Sequence, residues 1–334
     1  MLNISFEKKI KDKKIPIYFK NEYQNIFAKY DHSELIILKI QKNSTIFYLP
    51  LLIHPIDSFF EAYSSYGYGG FWSKSEDILL EEEFNLIKDF LSNQNIIDIF
   101  VRNSPFLENE KIIPQRYNSL NRTTYMVTLN KFEDFEEIKL KVNQKIRWAV
   151  NQAQKNSLKV ERRNYINLTN KEFEAFYDMY IKAMEIRNAD EYYFFSRDFF
   201  LQHFYNLKEN CDLYLVKKNN VTIAGSIFLK DQEYVHYHFS AANNDYYKFQ
   251  PMDLLILRAI FDYGNEGRKF MHLGGGLKLD ASDGLSKFKK KFSDIEKNFY
   301  ISKILINQEK YDYLKKKYNL EESHLFLIKD AMKK

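Results

Sequence analysis

The stretch that decides the fold is DLYLVKKNNVTIAGSIFLKDQEYVHYHFSA, residues 212–241. Its β-branched and aromatic residues group into three runs that are typical of strands, at 212–217, 221–230 and 233–241. The two connectors, residues 218–220 and 231–232, are too short for a crossover between parallel strands. The stretch therefore predicts three antiparallel strands joined by hairpins.

A helix and a further strand follow this meander. Pro251 stands where a helix begins, and the residues through Phe261 are almost all apolar, which predicts a helix buried on both sides. Gly264 is expected to end this helix, and residues 269–273 form a short predicted strand. A meander followed by a helical crossover to a parallel strand resembles the GNAT acetyltransferase superfamily. In that fold, the strands corresponding to 234–241 and 269–273 splay apart and leave a cleft for the acyl donor.

The N-terminal third also mixes strand and helix patterns. Residues 34–41 and 44–53 are predicted to form a hairpin, and a helix and a strand follow by residue 102. An aromatic, glycine-rich loop, YSSYGYGG, at 63–70 lies between the predicted hairpin and the predicted helix. The fold class we predict is α/β (α+β), with two tandem GNAT-like domains.

Size and composition agree with two cytoplasmic domains. The chain has 334 residues, of which 45% are hydrophobic, and its net charge of +5 permits an anionic partner without requiring one. A single cysteine, Cys211, cannot form an internal disulfide, which favours a reducing compartment. Neither a signal peptide nor a transmembrane segment is indicated. We expect a soluble cytoplasmic protein, either free or at the inner face of the membrane.

Five blocks of the chain, in order, resemble FemAB-like acyl- and aminoacyltransferases, the FemX-like proteins included. The most diagnostic is DGLSKFKKKF at 283–292, which resembles a Gly-Leu/Ile-x-x-Phe-Lys-x-x-Phe pattern. The others are the Tyr-Gly-Tyr-Gly-Gly loop at 66–70, the basic segment 143–160, the aromatic helix 177–187 and the block 250–275. The chain departs from the family pattern at two positions, because family members often have an aromatic residue where Ser286 stands and glycine where Ser293 stands.

The resemblance implies transfer of an acyl or aminoacyl group to an amine. No cofactor is expected to be tightly bound, because the acyl donor, either aminoacyl-tRNA or acyl-CoA, is a substrate. The acceptor would be a small-molecule, nucleotide-linked or lipid-linked amino sugar or a muropeptide. A DNA partner is not indicated, whereas tRNA remains a possible partner.

The candidate catalytic residues are Lys289, Phe288 and His238. The resemblance implies that the ammonium of Lys289 stabilises charge on the transferring carbonyl and that Phe288 walls the channel. The alternative is that Lys289 belongs to an ordinary solvated lysine-rich face while Phe288 packs inward. His238 could act as the base for the attacking amine, since an unshifted histidine titrates near pH 6.5. Packing of His238 among aromatic residues is the alternative.

Metal binding is not predicted. His236, His238 and His272 lie near the expected cleft, but no carboxylate or cysteine completes a recognisable ligand set.

Binding residues are assigned in both predicted domains. The resemblance implies that Arg187 approaches the phosphates of the acceptor, although an arginine that complements a helix dipole is an equally good interpretation. Tyr66, Tyr68 and Gly69 are candidates for stacking on the acceptor, unless the loop is a structural turn.

The candidates for binding the donor are Gly274, Gly275 and Arg147. The usual GNAT pyrophosphate loop is absent before the buried helix, which favours aminoacyl-tRNA over acetyl-CoA. Residues 139–163 contain eight Lys or Arg and one Glu. They could contact a tRNA backbone or form the solvated side of a helix.

These observations predict a first domain at 1–130 on the acceptor side and a second at 131–305 with the donor site. A C-terminal helix within 306–334 would pack back on the first domain, and the acceptor would lie in the cleft between domains. The predicted activity is N-acyl transfer to a primary amine of a peptidoglycan stem peptide or of a surface-glycan amino sugar. An acetyl-CoA-dependent N-acetyltransferase of a nucleotide-activated amino sugar is the alternative. A non-catalytic tRNA- or glycan-binding protein on the same scaffold is a second alternative.

Overall fold

The computed structural model describes residues 2–12, 14–320 and 327–331. It divides the chain into two compact units. The first unit combines Met1–Arg122 with Asn298–Lys334, and the second unit is Thr123–Lys297.

Strands and helices alternate along both units. In chain order, the strands are β1 (Leu2–Glu7), β2 (Glu34–Lys42), β3 (Thr45–Ile56), β4 (Phe59–Tyr63), β5 (Ile96–Arg102), β6 (Asn118–Thr128), β7 (Lys159–Arg163), β8 (Cys211–Lys218), β9 (Val221–Lys230), β10 (Tyr234–Ala242), β11 (Phe270–Gly275) and β12 (Ile295–Leu305). The helices are α1 (Asn21–Tyr30), α2 (Glu81–Asn93), α3 (Phe135–Lys141), α4 (Gln144–Lys155), α5 (Asn170–Ile186), α6 (Arg197–Leu207), α7 (Pro251–Asn265), α8 (Gly284–Lys290), α9 (Gln308–Lys317) and α10 (Ile328–Ala331).

The first unit is a meander followed by a helical crossover. Strands β2, β3 and β4 pair antiparallel, and α2 then leads to β5, which pairs parallel to β4. The strand order in this unit is β1-β2-β3-β4-β5-β12. The hairpin predicted between 34–41 and 44–53 is confirmed, with Asn43 in the left-handed region at φ 52°.

The second unit repeats the same succession. Strands β8, β9 and β10 form the antiparallel meander, α7 crosses over, and β11 pairs parallel to β10. The strand order is β6-β11-β10-β9-β8-β7. The meander and crossover predicted from residues 212–273 are therefore confirmed, as is the mixed α/β class.

Helix packing in the second unit follows the apolar patterns of the sequence. Ile146, Val150 and Ala153 of α4 share one buried cluster with residues of α7 such as Leu255 and Ile256. A capping box begins α5, where the hydroxyl of Thr169 accepts a hydrogen bond from the amide of Glu172.

Gly264 does not end α7, contrary to the sequence prediction. The helix continues through Asn265, and a Cβ at Gly264 would lie 2.1 Å from the carbonyl oxygen of Asn130. Glycine is needed there because the helix passes so close to another stretch of backbone.

The predicted C-terminal helix is divided in the structure. Helix α9 ends at Lys317, followed by Asn319 at φ 52°, and α10 begins at Ile328. Leu314 of α9 and Ile328 pack with Ile56 and Ile97 in the first unit. Residues 321–326 and 332–334 of the predicted helix lie outside the described residues.

In the described part of the chain, no helix combines the length and the apolar character needed to cross a bilayer.

Candidate active site

The candidate site lies where two parallel strands of the second unit separate. Strands β10 and β11 pair at three positions, namely Tyr234 with Phe270, Val235 with Met271 and His236 with His272. Beyond these positions β10 continues beside β9 to Ala242, and β11 continues beside β6 to Gly275. This is the separation that the sequence predicts for the two strands.

A bulge in each strand accompanies the separation. The register of β10 shifts between Tyr237 and Phe239, which makes His238 the extra residue. The register of β11 shifts between His272 and Gly274, and Gly274 has a φ of 75°, which glycine adopts at little cost. Because bulges bend strands and increase their twist, they favour divergence of the two strands at this point.

Lys289 of α8 reaches the end of β11. The residue is only 8% exposed, and its Nζ donates a hydrogen bond to the carbonyl of Gly275 at 2.7 Å. The same Nζ lies 6.0 Å from the centre of the Tyr237 ring. An ammonium fixed in this way could stabilise negative charge that develops in the gap between β10 and β11, beyond their last paired residues.

Tyr237 is a residue that the sequence did not single out as functional. Burial raises the pKa of Tyr237 to about 12, although a hydrogen bond with Ser240 and the positive charge of Arg187 act in the opposite direction. The phenol therefore stays protonated at neutral pH and can donate a hydrogen bond. No sequence signal marks Tyr237, because it stands in a run of aromatic residues whose bulge cannot be seen in the sequence.

Arg187 lies near the same tyrosine. It is the exposed C-cap of α5, and its charge acts on Tyr237. The structure thus brings the predicted residues Lys289 and Arg187 to one tyrosine, each from a different helix. The predicted role of Arg187 toward acceptor phosphates stays a prediction.

Of the histidines near the strand bulges, His236 and His272 are buried and His238 is half-buried beside other rings. The ring of His238 lies 5.8 Å from that of His203 and 4.2 Å from that of Phe239. Burial, together with His203 and His236, lowers the pKa of His238 well below its ordinary value. Burial alone lowers the pKa of His236 to about 3. These imidazoles are neutral at pH 7, and the role of His238 as a base stays a prediction.

Phe288 packs toward the interior of the second unit. Its ring contacts that of Phe292 at 5.6 Å, and the ammonium of Lys291 lies 4.6 Å from its centre. Its predicted role as a channel wall stays a prediction. Among the described residues, no group of three or more His, Cys, Asp or Glu side chains could hold a metal ion.

The predicted donor-binding residues have different surroundings. Gly274 and Gly275 are strand residues that pair with Tyr125 and Thr124 of β6, rather than turn residues. The guanidinium of Arg147 donates hydrogen bonds to the carbonyls of the last turn of α3, among them that of Val142 at 3.2 Å. Arg147 therefore satisfies backbone groups at a helix end, whereas Gly275 contacts Lys289 directly.

Half of the cations of the basic segment 139–163 are paired with carboxylates within the protein. Lys139 and Lys141 pair with glutamates of α3, and Arg162 and Arg163 pair with acidic residues of the second unit. With Arg147 bound to α3, five of the eight cations are engaged. The ion pairs reduce the positive charge that the segment offers to a polyanion such as tRNA.

The aromatic loop of the first unit is held in place by its neighbours. The carbonyl of Tyr66 accepts a hydrogen bond from Tyr23 at 2.7 Å, and the Tyr66 ring stacks on Phe27. The guanidinium of Arg102 lies 5.7 Å from the centre of the Tyr66 ring. The amide of Gly69 donates to the carbonyl of Arg102 at 2.6 Å.

Tyr68 of this loop is half-buried among aromatic rings. Its ring makes edge contacts with Tyr18, Phe106 and Phe299, and burial raises its pKa. The loop is thus an ordered turn, in which Tyr66 lies beside a cation. Acceptor binding by Tyr66, Tyr68 and Gly69 stays a prediction.

Comparisons with known proteins bear on the fold and on the second unit. A family model described as an acetyltransferase (GNAT) domain matches residues 141–290. Among solved structures, that of FemX has a TM-score of 0.64 at 14% identity, and the match covers 88% of this chain and 93% of FemX. No curated protein matches the chain.

Two further structures share the fold at low identity. A conserved protein of unknown function from Bacteroides thetaiotaomicron has a TM-score of 0.52 at 12% identity, with 85% of this chain and 89% of that one covered. The C-terminal domain of a putative lysylphosphatidylglycerol synthetase from Agrobacterium fabrum has a TM-score of 0.50 at 13% identity, with 79% and 82% covered.

Proposed function

We propose that this chain, which contains a GNAT-family acyltransferase domain and has the fold of FemX, is an N-acyltransferase. It transfers an acyl or aminoacyl group to a primary amine of a cell-envelope precursor, either a peptidoglycan stem peptide or an amino sugar of a surface glycan. The observation that carries the proposal is the ammonium of Lys289 at the point where β10 and β11 separate.

The chemistry needs a neutral amine and stabilisation of an oxyanion. The amine nitrogen attacks the acyl carbonyl, a C–N bond forms, and the carbonyl oxygen takes up negative charge. The ammonium of Lys289 would stabilise this charge, because a fixed positive charge acts most strongly where bulk water is excluded. The attacking nitrogen then gives its surplus proton to water, and the bond to the thiol or hydroxyl leaving group breaks as the carbonyl re-forms, so that the departing atom must take up a proton in turn.

Tyr237 is suited to donate a hydrogen bond or a proton to the leaving group. The sulfur or oxygen that departs carries negative charge and needs a proton. The phenol of Tyr237 keeps its proton to about pH 12 and lies beside Lys289. It would donate a hydrogen bond or a proton to the departing atom, and Arg187 would hold an anionic part of a substrate nearby.

One observation favours the acetyl-CoA-dependent alternative. Four of the eight cations of residues 139–163 are paired with carboxylates within the protein, which weakens the tRNA interpretation of this segment. Acyl-CoA, with a nucleotide-activated amino sugar as acceptor, is therefore the first pair of substrates to test.

The test is a turnover assay of the purified chain with each donor. Acetyl-CoA and aminoacyl-tRNA are supplied separately with UDP-linked amino sugars or muropeptides, and N-acylated product is detected by mass spectrometry. Product formed with one donor identifies that donor class. If neither donor binds nor yields product across these acceptors, the enzymatic proposal fails and the non-catalytic alternative is favoured.

A further inference from the structure

Asp283 occupies an unusual position between β11 and α8. One carboxylate oxygen, Oδ1, accepts hydrogen bonds from the amides of Leu285 and Ser286, both at 3.0 Å, in the first turn of α8. The other oxygen, Oδ2, accepts from the hydroxyl of Ser286 at 2.7 Å and from the amides of Leu277 and Lys278 at 3.1 and 3.2 Å. One carboxylate therefore binds both the start of α8 and the loop that leaves β11.

Other helix caps in the second unit do less. Asp134 begins α3 and accepts a hydrogen bond from the amide of Glu137 at 2.8 Å. Asn143 begins α4 in the same way, through the amide of Ile146. A cap needs only the oxygen that faces the helix. The second oxygen of Asp283 is thus available to fix the loop.

These hydrogen bonds close a ring that contains Lys289. Lys289 follows Ser286 by one helical turn, and its Nζ returns to the carbonyl of Gly275, two residues before Leu277. The packing inside the ring is tight, because a Cβ at Gly276 would lie 1.7 Å from Oγ of Ser286 and 2.5 Å from Oδ2 of Asp283. The position of α8 relative to the end of β11 is therefore fixed on both sides of Gly276.

We infer that Asp283 is a positioning residue that holds the ammonium of Lys289 at the end of β11. Its charge persists at neutral pH: burial by itself would raise the pKa of Asp283, but hydrogen bonds from Ser286, Lys278 and Leu277 outweigh burial and lower it. The consequence for catalysis rests on the proposed role of Lys289, whereas the placement of Lys289 can be measured without any activity.

The test separates fixing the loop from capping the helix. In Asp283→Asn, the amide oxygen can still cap α8, but the NH₂ group cannot accept hydrogen bonds from Leu277 and Lys278. Asp134→Ala is the matched control, because it removes a cap from α3 of the same unit and leaves Asp283 intact. Ser286→Ala removes one of the five hydrogen bonds of Asp283 and serves if Asp283→Asn does not fold.

The first readout is the rate at which a water-soluble acetylating reagent labels Lys289, relative to the exposed Lys290, by peptide mass spectrometry. We expect the ratio to rise about tenfold in Asp283→Asn, which corresponds to the loss of one hydrogen bond that holds Lys289 in place. In Asp134→Ala, we expect the ratio to stay constant. Ser286→Ala should move the ratio in the same direction by less. An unchanged ratio in both Asp283→Asn and Ser286→Ala would overturn the inference.

The second readout is turnover. Misplacement of Lys289 should lower kcat by about 10- to 100-fold in Asp283→Asn and leave both KM values within about twofold. Faster labelling of Lys289 with unchanged turnover would uphold the positioning role and contradict the proposed function of Lys289. The two proposals can therefore fail separately.

Discussion

Each unit contains a pair of parallel strands reached by a helical crossover, but the two pairs behave differently. In the first unit, β4 and β5 stay paired from Phe60 to Tyr63, and the hydrogen bonding continues through the amide of Ser64 to the carbonyl of Phe100. In the second unit, β10 and β11 stop pairing after His236, and Lys289 lies at the end of β11. The same topology thus gives one closed pair and one open pair.

The residues on the two pairs differ accordingly. The closed pair carries two buried acids, Glu61 and Asp98, directly opposite one another. Glu61 accepts hydrogen bonds from the amides of Ile328 and Lys329, so this pair holds the C-terminal segment. The open pair has a bulge in each strand where pairing stops, carries a protonated tyrosine and lies beside the buried Lys289, whereas the register shift of the closed pair, between Phe60 and Glu61, does not end its pairing. We propose that the first pair serves structure and that the second serves chemistry.

Removing the ammonium from the open pair should have the largest effect. Lys289→Ala is expected to lower kcat by about 100- to 1,000-fold, the usual loss for one group that stabilises an oxyanion. The measurement is steady-state turnover with the donor that the assay identifies. Lys290→Ala is the control, because Lys290 is an exposed neighbour paired with Glu296. Equal turnover in Lys289→Ala and the wild type would remove the chemical distinction between the two pairs.

Removing the phenol of Tyr237 should have a smaller effect. Tyr237→Phe is expected to lower kcat about tenfold or more, because a hydrogen bond to the leaving group is lost while the ring packing remains. Since the pKa of Tyr237 is about 12, wild-type turnover should show no loss from its deprotonation up to about pH 10. Tyr234→Phe, on the same strand, should be close to wild type. A similar loss in both variants would argue for packing rather than proton donation.

Changing the closed pair should alter stability and leave turnover intact. Burial, and next the charge of Glu61, raise the pKa of Asp98 well above its ordinary value. A raised pKa means that the stabilising contribution is complete below about pH 4 and is lost as pH rises through the folded-state value. Wild type should therefore lose stability relative to Asp98→Asn between pH 5 and pH 8, because the asparagine side chain does not titrate.

Thermal unfolding at both pH values would measure this difference. If Asp98→Asn instead abolished turnover while remaining folded, the closed pair would have a chemical role that we do not assign to it.

The sequence was a good guide to topology and a poor guide to the site's details. Hairpin connectors and apolar runs are local signals, so the meander and the crossover in the second unit could be predicted. Lys289 could be singled out from a family resemblance in 283–292. Tyr237 could not, because its position depends on a bulge. The hydrogen bonds of Arg147 to α3 depend on the break between α3 and α4, which charge patterns do not reveal.

The most direct test of the central claim is a map of where the acyl donor protects the backbone. Hydrogen–deuterium exchange would be compared with and without the donor that supports turnover, or with acetyl-CoA as the first probe. We predict slower exchange in residues 237–242 and 270–290, at the open pair, and no change in 59–70 or 96–102. Protection confined to 59–70 and 96–102 would contradict the account and place donor chemistry at the pair that we describe as structural.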